Sequence, residues 1–207
     1  SLTDRGVSYT KHFDPDAPRL GFPVASGNWG SAFGKRKSPL PPYKIGWHNG
    51  TDVGAARGTP VLAAADGVII GITDTVMSEG SRQRVPSYRP GGNTMTLKHK
   101  GQNGKTYYTL YMHLLEKGRT DGLPPTGGIL LPIGQAVAKG QAIGLVGNTG
   151  GSTEPHLHFE LRGPNALSPG GAAGVGLNPV FHDERYFEAS IINLREEKAG
   201  NPPQAPA

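Results

Sequence analysis

The chain of 207 residues contains no cysteine. That absence removes disulfides, cysteine-ligated zinc and thiol nucleophiles together. It suits any compartment, so it does not locate the protein. Long apolar runs are missing too. No stretch approaches the roughly 20 residues of a membrane span, and no signal peptide is visible at Ser1, as in a mature or trimmed product. No segment keeps a helical period over three turns. No RNA-recognition aromatic motif, helix-turn-helix pattern or dense Lys/Arg stripe appears. A Gly-x-Ser-x-Gly elbow, which would support a serine nucleophile, is absent, and so is any regular repeat of about 20–50 residues.

What the chain has is glycine and proline, 32 and 19 residues. With regular short apolar runs between them, this composition reads as a turn-rich β protein rather than a disordered one. The net charge is +5. It favours an acidic partner, such as an anionic cell-wall polymer, or serves only to solubilise the surface; nucleic acid is not the expected partner.

Residues 1–20 are polar and aperiodic, and are expected to form an arm. The basic, proline-rich segment Gly34–Pro42 reads as a loop. Thr59–Ala65 and Gly67–Thr73 read as strands broken at the turn dipeptide Asp66-Gly67. Ser78–Gly92 is a long loop, a length often used for groove walls. Thr94–His99 and Thr106–Leu114 read as a hairpin around Lys100–Lys105. A second long loop, Gly118–Leu131, precedes strands at Gln141–Val146 and Leu157–Leu161, which are joined by the Gly-rich turn Gly147–Thr153. Arg162–Asn178 is coil, Asp183–Ala189 a possible short helix, and residues 193–207 a disordered tail. Many short strands with frequent turns predict an all-β fold with a single domain over residues 21–192.

The chemistry lies in the histidines. In Glu154-Pro155-His156-Leu157-His158-Phe159-Glu160, an extended backbone puts His156 and His158 on one face. In His48-Asn49-Gly50-Thr51-Asp52, a single strand would do the same for His48 and Asp52. His113 closes the run Thr106–Leu114. Nitrogen and carboxylate ligands of this kind suit zinc better than calcium or magnesium. Catalytic zinc keeps three protein ligands and one open position, and His48, Asp52 and His158 supply three. Zinc also lowers the pKa of a bound water to about 7. His113 and His156 then remain for general-base and oxyanion roles. Each motif alone has a bland reading, as a surface or structural pair; their agreement is what carries weight. His12, His99 and His182 have no such partners and read as ordinary surface or loop residues.

These motifs resemble the lysostaphin-type zinc metallopeptidases, a family of peptidoglycan endopeptidases. The resemblance runs from about Gly21 to Arg162. It rests on Ser31–Arg36, His48–Val53, Gly58-Thr59-Pro60-Val61, Ala65-Asp66-Gly67-Val68, Gly92-Asn93, Tyr111–Leu114, Lys139–Gly144 and Gly147–Phe159. It implies an antiparallel β-sheet core of the barrel-sandwich, duplicated-hybrid-motif kind, with long loops walling a groove. It implies zinc on His48, Asp52 and His158, catalytic imidazoles at His113 and His156, a groove position at Tyr43, and Asn93 either supporting the strand pair or lining the groove. The implied activity is endopeptidase cleavage of stem-peptide cross-links or Gly-rich bridges in the cell wall. The protein would then be periplasmic or extracellular, of bacterial, phage-particle or secreted-toxin origin, and monomeric. Two alternatives stay open: a non-catalytic cell-wall-binding or regulatory domain on the same fold, and a histidine phosphocarrier. The intact ligand set argues against both.

Overall fold

The computed structural model describes residues 2–4, 7–9, 15–31, 34–39, 41–75 and 90–163. Among these residues every regular element is a strand: β1 (Leu2–Asp4), β2 (Val7–Tyr9), β3 (Asn28–Trp29), β4 (Gly34–Lys37), β5 (Ile45–His48), β6 (Thr51–Gly54) and β7 (Pro60–Leu62). They continue as β8 (Gly67–Thr73), β9 (Asn93–Lys100), β10 (Thr106–Leu114), β11 (Ala136–Val137), β12 (Ala142–Leu145) and β13 (His156–Arg162). Seven form one antiparallel sheet in the order β11-β8-β9-β10-β13-β6-β3, and β12-β7, β4-β5 and β1-β2 form three two-stranded sheets. The fold is all-β and antiparallel.

Period-two alternation decides what each face of the large sheet does. On β13, Leu157, Phe159 and Leu161 are fully buried; opposite them lie Val53 and Thr51 of β6 and Tyr111 and Thr109 of β10. Met95 and Leu97 of β9 and Ile69 of β8 extend the same layer. It packs against Val61 of β7 and Ile143 of β12, so the small β12-β7 sheet covers the core. The intervening residues of β13 (His156, His158, Glu160 and Arg162) therefore share the opposite face.

Several expectations need correction. Gly34–Lys37 is not loop but a strand paired with Ile45–His48; the prolines follow it and leave its N–H groups free to pair. Ala17 and Leu20 are buried in the core, and Asp16 O accepts a hydrogen bond from Gln102 N at 2.7 Å, so the described end of the N-terminal arm lies on the domain. Thr59–Ala65 shortens to β7. The hairpin around Lys100–Lys105 forms as expected, with Thr106 opposite Lys100. The possible helix at Asp183–Ala189, the tail 193–207, His12 and His182 lie outside the described residues.

His99 is not a surface residue: it is 2 % exposed, on the core side of β9. Its Nδ1–H donates to Asp66 O at 2.8 Å, which leaves Nε2 to accept from Thr109 Oγ1 at 2.6 Å. Thr109 in turn lies 2.9 Å from the Tyr111 hydroxyl, and that oxygen accepts from Ala64 N. The two fixed ends orient the chain: Tyr111 donates to Thr109, and Thr109 to His99. Burial lowers the His99 pKa, against the raising effect of the Asp66 carbonyl. The ring is thus neutral in the fold and charges readily only when unfolded. Stability from this site is full above the ordinary histidine pKa of about 6.5 and is lost as pH falls through and below it, at up to about 1.4 kcal/mol per pH unit. Urea midpoints measured from pH 7.5 to 5 should decline less steeply in His99→Gln than in the wild type; parallel declines would count against the assignment.

Candidate active site

Four strands, β5, β6, β10 and β13, bring the site histidines and Asp52 together. His158 and Asp52 are direct cross-strand partners on β13 and β6. His48 does not share a strand with Asp52 as the spacing predicts; β5 ends at His48 and β6 begins at Thr51. The break falls at Asn49-Gly50, where the chain passes close against β13. A Cβ on Gly50 would lie 2.5 Å from His158 Nε2 and 2.5 Å from Phe159 O. Only glycine lets the β5–β6 connection pass this close to the ring. Gly50→Ala is expected to displace His158 and cut zinc affinity by at least tenfold, read by competition with a chromophoric chelator; wild-type affinity would contradict the packing argument.

His48 Nε2, Asp52 Oδ1 and His158 Nδ1 form a nearly equilateral triangle. Its edges are 3.1 Å from His48 to His158, 3.2 Å from His48 to Asp52 and 3.1 Å from His158 to Asp52. Ligands about 2.0–2.1 Å from a tetrahedral zinc stand about 3.3–3.4 Å apart. The donor set and its spacing fit such an ion with one position left for water or substrate. The Asp52 carboxyl is pushed up by burial, but hydrogen bonds from His156, His158 and His48 outweigh that and hold it far below the usual carboxylate range. Burial pulls His158 down, yet Asp52 and Glu160 together raise it to about 9.

His113 and His156 flank this triangle with ring centroids 4.7 Å apart, and His113 lies 6.0 Å from His158 by the same measure. His113 is not extended: its φ is 63°, at an irregularity of β10 after Tyr111. This left-handed backbone, uncommon for any residue but glycine, turns the imidazole out of the strand's alternation. Its N–H donates to Gly91 O at 2.8 Å and its carbonyl accepts from Gly147 N at 3.0 Å, which hold the bulge on both sides. Its Nδ1–H donates to Thr149 O at 2.6 Å, leaving Nε2 a bare acceptor. Burial lowers its pKa to about 3, assisted by His156 and His158, so the ring is neutral at pH 7. His156 donates from Nδ1 to Glu154 O at 2.8 Å, with Ser152 Oγ 3.1 Å away, and its Nε2 lies 3.5 Å from Asp52 Oδ1.

Asp52, His113, His156 and His158 open into a cleft of about 330 Å³ that is also lined by Gly30, Ser31, Pro39 and residues 151–155. Tyr43 is half exposed and Asn93 fully buried, and neither lines the cleft. Asn93 instead donates its backbone N–H to Thr149 Oγ1 at 3.0 Å. Thr149 also donates to Leu114 O at 2.7 Å, so one hydroxyl fixes the turn whose carbonyl holds His113. Sequence reading passed over Thr149, because its partners lie 35 to 56 residues away. It also passed over Glu160 and Arg162, although their period-two offset from His158 was a usable signal.

Comparison with known proteins agrees with this geometry. Peptidoglycan DD-endopeptidase ShyA of Vibrio cholerae is 35% identical over 142 residues, covering 68% of this chain and 26% of its own. DD-carboxypeptidase/endopeptidase Mpg of Neisseria meningitidis is 37% identical over 133 residues, covering 64% and 24%. The chain thus spans about a quarter of the length of these curated relatives. A catalytic-domain mutant of the prophage-encoded M23 protein EnpA from Enterococcus faecalis superposes with a TM-score of 0.50 at 25% identity, covering 79% of this chain and 95% of that one. Residues 46–169, which carry every strand around the cleft from β6 to β13, match the model of peptidase family M23, and the chain belongs to that family.

Proposed function

We propose that the protein is a zinc-dependent endopeptidase acting on the peptide part of bacterial peptidoglycan, and therefore works in the periplasm or outside the cell. The observation that carries this reading is the convergence of three ligand atoms, two of them on residues that line an open cleft, beside the two imidazoles of that cleft. The DD-endopeptidase names of the relatives favour a stem-peptide cross-link over a Gly-rich bridge.

His48, Asp52 and His158 would hold the ion. Bound there, zinc would polarise the scissile carbonyl and activate a water for attack at neutral pH. His113, neutral and fixed through Nδ1, offers Nε2 as the base that takes the proton of the attacking water. His156, anchored by Glu154 O, places Nε2 at the edge of the cleft, where a proton held on it would serve the developing oxyanion or the leaving amine. The burial of His113 and His158 keeps both rings in single orientations, so little reorganisation remains for the reaction.

The test is digestion of purified peptidoglycan from Gram-negative and Gly-bridged Gram-positive walls, with and without a chelator, and identification of new termini by mass spectrometry. Chelator-sensitive new peptide ends are expected, and their identity names the bond. Intact walls in the presence of bound zinc would turn the reading to a binding or regulatory domain. Absence of zinc binding together with phosphate transfer to a histidine would turn it to a phosphocarrier.

A further inference from the structure

On the face of β13 that carries the two site histidines, the row continues past His158 to Glu160 and Arg162. Glu160 is 3 % exposed, an unusual place for a carboxylate that touches no substrate cleft. Both its oxygens are used. Oε1 accepts from His158 Nε2 at 2.9 Å, and Oε2 accepts from Arg162 Nε at 2.8 Å, with Arg162 NH2 at 2.7 Å from the same oxygen. The guanidinium fork thus locks the carboxylate at one end while the other end meets the imidazole. Cross-strand pairing sets the same geometry: Glu160 lies opposite Leu110 and Arg162 opposite Tyr108 on β10, so the row cannot slip without moving the sheet.

An ionised carboxylate is an acceptor only. Its contact with Nε2 therefore requires a proton on Nε2, so that when the ring gives up its Nδ1 proton to bind a metal, the bare Nδ1 faces the same point as His48 Nε2 and Asp52 Oδ1. In the other tautomer Nε2 would present a lone pair to a buried anion while Nδ1–H pointed into the ligand triangle. We infer that Glu160, braced by Arg162, is a positioning residue for the metal centre: it selects the tautomer and ring orientation in which His158 can act as a ligand. The inference rests on the zinc reading above and extends it to two residues outside the cleft. Outer partners of ligating histidines are worth about 10- to 100-fold in metal affinity.

The test compares the full wild-type chain with Glu160→Gln and Arg162→Lys. Zinc affinity is measured by chelator competition, the His158 tautomer by long-range ¹H–¹⁵N NMR of the zinc-loaded protein, and folding of each metal-free chain by circular dichroism. Glu160→Gln keeps the shape but cannot accept from both His158 and Arg162. It is expected to bind zinc about 10- to 100-fold more weakly and to lose the single Nε2–H signature while remaining folded. Arg162→Lys keeps the charge but not the fork, and should fall between the two; it carries the test if Glu160→Gln does not fold. Wild-type affinity and an unchanged tautomer in both variants would show a merely structural ion pair and overturn the inference, with the zinc reading intact. Failure of the wild-type chain to bind zinc would overturn both.

Discussion

His113→Ala is expected to keep its zinc and lose about 10²- to 10⁴-fold in turnover, the usual worth of a positioned general base. The separation of the two effects follows from geometry. His113 is not a corner of the ligand triangle, so the three edges of 3.1 to 3.2 Å survive its removal. The variant loses only the Nε2 acceptor that the Thr149 carbonyl holds in place. Backbone strain adds a complication, since alanine gains nothing from a φ of 63°. His113→Asn controls for it, because asparagine tolerates the left-handed region yet is too short and too weakly basic to act as base. Both variants should show wild-type zinc content by atomic emission and similar, severe losses of peptidoglycan cleavage. Full turnover in either would remove His113 from the mechanism; loss of zinc in both would make it part of the metal site instead.

Which of these features could be read from the chain alone follows from how local their causes are. The face shared by His156 and His158 depends only on strand alternation, so a His-x-His in a β-rich context exposes it. The same logic finds the core residues Leu157, Phe159 and Leu161 between and beyond them. His48 and Asp52 converge for a reason that spacing cannot show. Their strand breaks at Asn49-Gly50, and position 50 must be glycine because His158, over a hundred residues away, occupies the space a side chain would need. The left-handed turn at His113 is likewise imposed from outside, by Gly91 and Gly147 hydrogen bonding to its two backbone groups. His99 misled for the opposite reason. His99 has no partner motif nearby in sequence, but register places it on the core face, where Asp66 and Thr109 satisfy both nitrogens. Of the two readings open for Asn93, its hydrogen bond to the Thr149 hydroxyl supports the one that has it bracing the strand pair, while Tyr43 is half exposed.

The second large effect is expected from His158→Ala. It removes a corner of the ligand triangle, so zinc affinity should fall by more than the roughly 100-fold that loss of an outer partner can cost, and cleavage should fall to background. Retention of zinc at wild-type affinity would refute the ligand assignment. The metal-free protein supplies an independent check. Its His158 pKa is raised to about 9 by Asp52 and Glu160 against the cost of burial. A raised pKa means that the protonated ring stabilises the fold fully below about pH 6.5, the unfolded value, and that this contribution is lost as pH rises through 9. The stability gap between chelator-treated wild type and His158→Ala should therefore narrow between pH 6.5 and 9, measured by urea midpoints. Zinc must displace the same proton to reach Nδ1, so zinc uptake at pH 7 should release it, and buffers of different ionisation enthalpy will reveal it in calorimetry. A gap that stays constant with pH, or uptake without proton release, would mean that Asp52 and Glu160 do not hold the ring as the geometry indicates. A narrowing gap with proton release ties ligand, carboxylate partners and metal into one linked equilibrium centred on β13.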